Sequence, residues 1–198
     1  MDLFPLRLSG YNQIMSASVI RTLKPNVTEK EAVRTFSSPG ISAFFWRIRS
    51  GPLQKIAAAY VPFRLYRVRY ELGRTSHTRL FALDVVDGSL DLFEFPRVPG
   101  DSELLSLDSR NRLTPALSED RAVELLREKV LRIVFQQGFF KLREVRLDIT
   151  REACEIYLPY WLGFYGGGET ARCRVLDAVR RRIEGAKASA FFEQWLAA

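Results

Sequence analysis

The amino-acid sequence contains itself twice, and that repetition constrains its fold more than any other feature. Tyr60-Val61-Pro62-Phe63-Arg64-Leu65 returns as Tyr157-Leu158-Pro159-Tyr160-Trp161-Leu162, with Tyr, Pro and Leu in register. Leu83-Asp84-Val85-Val86 returns as Leu176-Asp177-Ala178-Val179, and Gly40 with Phe44-Phe45 returns as Gly138 with Phe139-Phe140. Thr28-Glu29-Lys30-Glu31-Ala32-Val33 matches Ser118-Glu119-Asp120-Arg121-Ala122-Val123. The offsets run from 90 to 98 and the order never changes. Each match alone is unspecific; four in one order predict a tandem duplication.

Each copy reads as a helix followed by antiparallel strands. Thr28-x-x-Glu31 is a capping box, in which hydroxyl and carboxylate satisfy the first free amides of a helix. That helix is cut short by Ser38-Pro39-Gly40. Ser118 is the N-cap of the second helix, whose apolar positions Ala122, Val123, Leu126, Val130, Ile133 and Val134 keep helical spacing up to Gly138. Asp87-Gly88 favours a two-residue hairpin turn, and Gly73 and Gly166-Gly167-Gly168 mark two further turns. Pro62 and Pro159 interrupt otherwise good strands at matching places, so each marks an edge or a bend. Phe191, Phe192, Trp195 and Leu196 keep helical spacing near the C-terminus. The expected fold is α+β: a tandem duplication of a helix plus an antiparallel β-meander, pseudo-twofold related, with a C-terminal helix. Residues 1–27 read as an N-terminal extension, 28–97 as the first repeat, 98–117 as a connector and 118–198 as the second repeat.

With 198 residues the chain buries roughly 70% of its unfolded surface, so it needs neither disulfide nor metal to fold. A turn at Gly167-Gly168 puts Cys173 opposite Leu162 and Cys154 far down the ladder. That separation excludes a disulfide and predicts two free thiols in a reducing, cytoplasmic compartment. The longest apolar run, residues 56–63, is short and contains Pro62, which argues against a membrane-spanning helix. Residues 1–7 carry an early acid and lack the apolar stretch of a secretory signal.

Chemistry-bearing residues are few. His77 falls in a predicted turn with no carboxylate or cysteine beside it, and there is no G-x-S-x-G, P-loop, H-E-x-x-H or dinucleotide fingerprint. The residues assign no catalytic group, no metal ligand and no cofactor. One constellation repeats. With Asp87-Gly88 as the turn, Asp84 faces Asp91; with Arg180-Arg181 as the turn, Asp177 faces Glu184. Like charges opposite each other destabilise a hairpin unless compensated. An arginine from a neighbouring strand is the expected compensation, and a divalent cation the alternative.

Charge is unevenly placed. The formal net charge is +7, and residues 34–79 hold nine basic residues against the single acid Glu71. Arg47, Arg49, Arg64, Arg67, Arg69 and Arg74 are interleaved there with Phe44, Phe45, Trp46, Tyr66 and Tyr70, a pattern able to follow a phosphate backbone and stack bases. The plainer reading is a strand face whose arginines pair with acids elsewhere. The expected function is a non-catalytic protein-interaction or regulatory module; nucleic-acid (RNA) binding through residues 34–79 is the alternative, and a ligand or enzymatic site between the copies comes third. The expected partners are therefore a protein, a second copy of the chain, or nucleic acid.

Overall fold

The computed structural model describes residues 19–37, 51–72, 75–136, 146–166 and 172–197. It is an α+β fold with a mixed, mainly antiparallel sheet and, among the described residues, three α-helices. The elements run β1 (Val19–Leu23), α1 (Glu29–Ser37), β2 (Leu53–Leu72), β3 (Thr75–Asp84), β4 (Phe93–Phe95), a 3-10 turn (Asp101–Glu103), β5 (Leu104–Asp108), α2 (Glu119–Gln136), β6 (Leu147–Tyr165), β7 (Arg172–Asp177), β8 (Arg182–Ile183) and α3 (Ala186–Ala197). Hydrogen bonding orders the strands β4-β3-β2-β6-β1-β5, with β7 on β6 and β8 on β7.

The chain divides into two compact units, and neither is contiguous in sequence. Unit 1 comprises Met1–Val61, Ser102–Leu113 and Tyr157–Ala198; unit 2 comprises Pro62–Asp101 and Thr114–Ile156. The long strands β2 and β6 each contribute a segment to both.

In unit 1, α1 starts as its capping box requires. The Thr28 amide donates to Glu31 Oε2 at 2.8 Å and the Glu31 amide donates to Thr28 Oγ1 at 3.3 Å. Ala32 and Phe36 on α1 pack with Val27, Ala58, Trp161, Tyr165, Leu176 and Ala178 to form the core of this unit. Trp161 Nε1 donates to the Val27 carbonyl at 2.9 Å, and the Tyr165 hydroxyl donates to the Phe36 carbonyl at 2.9 Å. Gly163 lies between these two aromatics on the same face, where a Cβ would sit 2.9 Å from the Phe36 ring. β1 meets β6 in parallel at Thr22 and Tyr157 and pairs antiparallel with β5. The C-terminal helix α3 forms as expected and buries Phe191 and Phe192, the latter against Tyr160.

In unit 2, α2 lays Ala122, Leu126, Val130 and Val134 over Tyr66, Val68 and Tyr70 of β2, Phe81 and Leu83 of β3, and Leu147 of β6. These residues are spaced at 3–4 on the helix and at 2 on the strands, the two periodicities an apolar interface demands. The β2–β3 hairpin runs from Leu72↔Thr75 to Phe63↔Asp84.

Several expectations need correction. Within the segments read as connector and N-terminal extension lie β5 and β1, which pair with each other in unit 1. His77 is in β3 rather than a turn, opposite Tyr70 with its ring stacked at 5.4 Å. Asp87-Gly88 is not a two-residue hairpin: β3 stops at Asp84 and β4 begins only at Phe93, because the Asp84 side chain gathers the amides between them. In the second hairpin Phe164, not Leu162, opposes Cys173, since the connection spans residues 166–171. Cys154 and Cys173 are both free thiols, and Cys173 is buried. Gly40, Arg47, Arg49, Arg74, Gly138, Phe44, Phe45, Trp46, Phe139 and Phe140 lie outside the described residues.

Candidate functional site

The repeated acidic residues organise turns rather than facing one another. Asp84 ends β3 opposite Phe63, and its carboxylate accepts the amides of Asp87 at 3.2 Å, Gly88 at 2.9 Å and Leu90 at 2.8 Å. Asp91 follows in the loop and is exposed. Asp177 ends β7 between Tyr160 on β6 and Arg182 on β8, so Arg182 and not Glu184 is its ladder partner. Asp177 Oδ1 accepts the amides of Val179 at 2.8 Å and Arg180 at 2.7 Å, and Arg180 Nε lies 3.8 Å from its other oxygen. Glu184 is engaged by Arg182 at 2.9 Å. The expected depression of these carboxyls by arginine is not found. Burial pushes both Asp84 and Asp177 above the usual carboxylate range, outweighing the amide bonds that pull the other way. Among the described residues no cluster of three or more His, Cys, Asp and Glu is placed to hold a metal ion.

The basic stretch separates by unit. On β2 in unit 2, Arg64 is nearly enclosed, with its side chain 15% exposed; Nε donates to Glu155 at 2.9 Å and Nη1 to the Leu117 carbonyl at 3.1 Å. Glu119, 3.6 Å from Arg64, also takes Arg151 at 2.9 Å. Arg67 meets Glu152 at 2.6 Å and Arg69 meets Asp148 at 3.2 Å, both arginines being over half exposed. Arg79 meets Glu94 at 3.3 Å. Tyr66 and Tyr70, the aromatics interleaved with these arginines, point into the core. Burial, with the Glu119 charge adding, pushes the Tyr66 phenol up to about 12. The β2 arginines of unit 2 are thus held by acids brought in from α2 and β6.

The two units also differ in charge balance. Unit 2 contains 14 basic and 14 acidic residues, whereas unit 1 contains 16 and 9. The net charge of +7 therefore falls to unit 1. Its basic residues include Lys24, Lys30 and Arg34 around α1, Lys55 on β2, and Arg180-Arg181-Arg182 at the β7–β8 turn. Arg181 Nε donates to the Asn26 carbonyl at 2.8 Å and Nη2 lies 3.7 Å from Glu31, which ties this turn to the start of α1. Glu31 is held below the usual carboxylate range, first by its bonds from Thr28 and then by Arg181 and Arg34. Tyr60, Tyr157, Phe164 and Trp195 are half-buried in the same unit, giving a basic surface that contains aromatic side chains. Counting charge along the sequence misses this asymmetry because each unit interleaves distant segments; the run Arg180-Arg181-Arg182 was its one local sign.

Among the described residues no helix is long and apolar enough to cross a membrane. No protein-family model, curated protein or solved structure matches the chain.

Proposed function

We propose that the protein binds nucleic acid, RNA in particular, through the basic surface of unit 1. The carrying observation is the charge asymmetry: 16 basic residues against 9 acidic in unit 1, beside exact balance at 14 and 14 in unit 2. Excess positive charge releases counterions from a phosphate backbone, and aromatics that keep part of their surface in solvent supply sequence-tolerant stacking platforms. This reading moves the contact away from Arg64, Arg67 and Arg69, which lie in unit 2, where acidic residues match the basic ones in number. A protein-interaction module finds less support, since the exposed large apolar side chains among the described residues are Val19, Val33 and Leu105.

The test is fluorescence anisotropy with a labelled, mixed-sequence single-stranded RNA across a salt series. The logarithm of affinity is expected to fall linearly with the logarithm of salt, by about 0.7 per phosphate contact. Absent binding, or binding indifferent to salt, overturns the proposal.

We also infer that the two units arose by duplication, with the helix of each half packed on the hairpin of the other. Support comes from paired contacts at constant offsets. Trp161 Nε1 donates to the Val27 carbonyl and Arg64 Nη1 to the Leu117 carbonyl. The Asn26 amide donates to the Ala178 carbonyl at 2.7 Å, and the Ala116 amide to Val85 at 2.8 Å. Thr22 meets Tyr157 in parallel, as Arg112 meets Tyr60. Helix-side offsets are 90 throughout and strand-side offsets are 97 or 93.

A further inference from the structure

Two turns follow buried aspartates, and in each the fourth residue after the aspartate has a left-handed backbone: Gly88 with φ of 72° and Arg181 with φ of 60°. Glycine adopts this conformation without steric penalty, whereas a residue with a Cβ is strained there. Gly88 has a second reason to be glycine, because a Cβ would lie 2.6 Å from Leu125 Cδ1. At the offset of 90, the α1 residue matching Leu125 is Thr35, so unit 1 does not place that leucine over the turn. Among the described residues Arg181 is the one non-glycine residue with positive φ. The easier residue for that backbone is glycine, and the chain keeps arginine.

Packing does not account for the choice. The Arg181 side chain is 62% exposed, and its ion pair is with an exposed glutamate at 3.7 Å. Exposed pairs of that kind contribute little to stability. What the position does offer is placement. Arg180 and Arg181 stand on a turn that Asp177 pins through two backbone amides, with Arg182 opening β8, and Arg181 Nε is aimed by its bond to the Asn26 carbonyl. Backbone strain that persists at an exposed, preorganised side chain is characteristic of a functional contact.

We infer that Arg181 is a phosphate-contact residue for single-stranded RNA, retained in a strained turn for the placement of its guanidinium. The inference rests on the nucleic-acid reading above. The competing explanation is structural: Arg181 as a staple between the β7–β8 turn and the segment before α1.

Arg181→Gly separates the two. The full chain and the variant are compared by thermal melting, and by anisotropy with labelled mixed-sequence single-stranded RNA over a salt series at a temperature well below either Tm. The expected result is a Tm unchanged or raised by up to about 4 °C, because strain is relieved. Affinity at about 0.1 M salt is expected to fall about five-fold, and the salt slope to shrink by about 0.7, the share of one phosphate contact. A slope equal to that of the wild type overturns the inference whatever the melt shows. A Tm lowered by more than about 2 °C also overturns it, making the staple the reason for the residue. Wild-type protein that binds no RNA overturns the nucleic-acid reading and this inference together; wild-type binding with an unaffected variant overturns the inference alone.

Discussion

The Asp84 carboxylate accepts the Gly88 amide at 2.9 Å from a position that solvent does not reach. Its other oxygen takes the Leu90 amide, so one side chain supplies the acceptors for a loop that lacks a ladder of its own. Replacing Asp84 with alanine strands these donors. The expected cost is about 2–4 kcal/mol, read from urea denaturation, because unsatisfied buried amides bear their desolvation penalty in full. A cost below about 0.5 kcal/mol would mean that water reaches the loop amides as well as the carboxylate does.

The same burial sets the pH dependence. Asp84 and Asp177 have folded values raised above the ordinary carboxylate range, so between the unfolded and folded values the native state binds more protons than the unfolded one. Stability from these two groups is therefore fully present below the ordinary carboxylate value and is lost as pH rises through the folded value. Asp84→Asn, which cannot titrate, is expected to flatten this decline in urea melts taken between about pH 4 and pH 7. A variant whose decline equals that of the wild type would assign the dependence to other groups.

Two arginines on β2 are expected to differ sharply. Arg64 is enclosed and bonded to Glu155 and the Leu117 carbonyl, while Arg69 and Asp148 form a pair with both side chains more than 60% exposed. Arg64→Ala is expected to cost about 2–4 kcal/mol, since it leaves a half-buried carboxylate and a carbonyl without their donor. Arg69→Ala should stay within about 0.5 kcal/mol. Equal effects in chemical denaturation would refute the distinction between a structural and a surface arginine.

Gly163 has no room for a side chain, because its Cβ would approach Phe36 Cδ2 to 2.9 Å. Gly163→Ala is expected to destabilise by about 1–3 kcal/mol through overpacking. Phe36→Leu alone should also be destabilising, yet the double variant should be more stable than the sum of the two, because the smaller residue at position 36 admits the new methyl group. Strict additivity in the cycle would place the Phe36 ring elsewhere.

How much of this was legible in the sequence follows from the range of each interaction. Local rules located α1 and α2 well: Thr28 and Glu31 form their reciprocal cap, and the apolar stripe Ala122–Leu126–Val130–Val134 packs as its spacing requires. The proline-bearing strands were legible because their patterns are long. The turns were not. Asp87-Gly88 has the composition of a tight hairpin, but Asp84 competes for the same amides and opens the loop, an outcome that turn propensities do not contain. His77 was misplaced because strand pairing with Tyr70 overrides a turn-like local sequence. The paired fate of the β2 arginines depended on Asp148, Glu152 and Glu155, which lie some 80–90 residues away in the chain. For the same reason the charge asymmetry between units was hidden: it exists in a partition that no linear window reproduces.

That partition also sets a timetable for synthesis. Val27 and Trp161 are separated by 134 positions, and unit 1 needs Tyr157–Ala198 before the core under α1 is complete. At about 5–20 residues per second, roughly 7–27 s pass between translation of Val27 and of Trp161. Throughout that interval Ala32 and Phe36, buried in the finished protein, lack the β6 and β7 residues of their core, and α1 is too short to hold its helix unaided. The last segment of unit 2, ending at Ile156, is made before the last segment of unit 1 begins. The segment that carries α1 is made early, yet the residues that complete its core come from the last stretch of the chain to be synthesised.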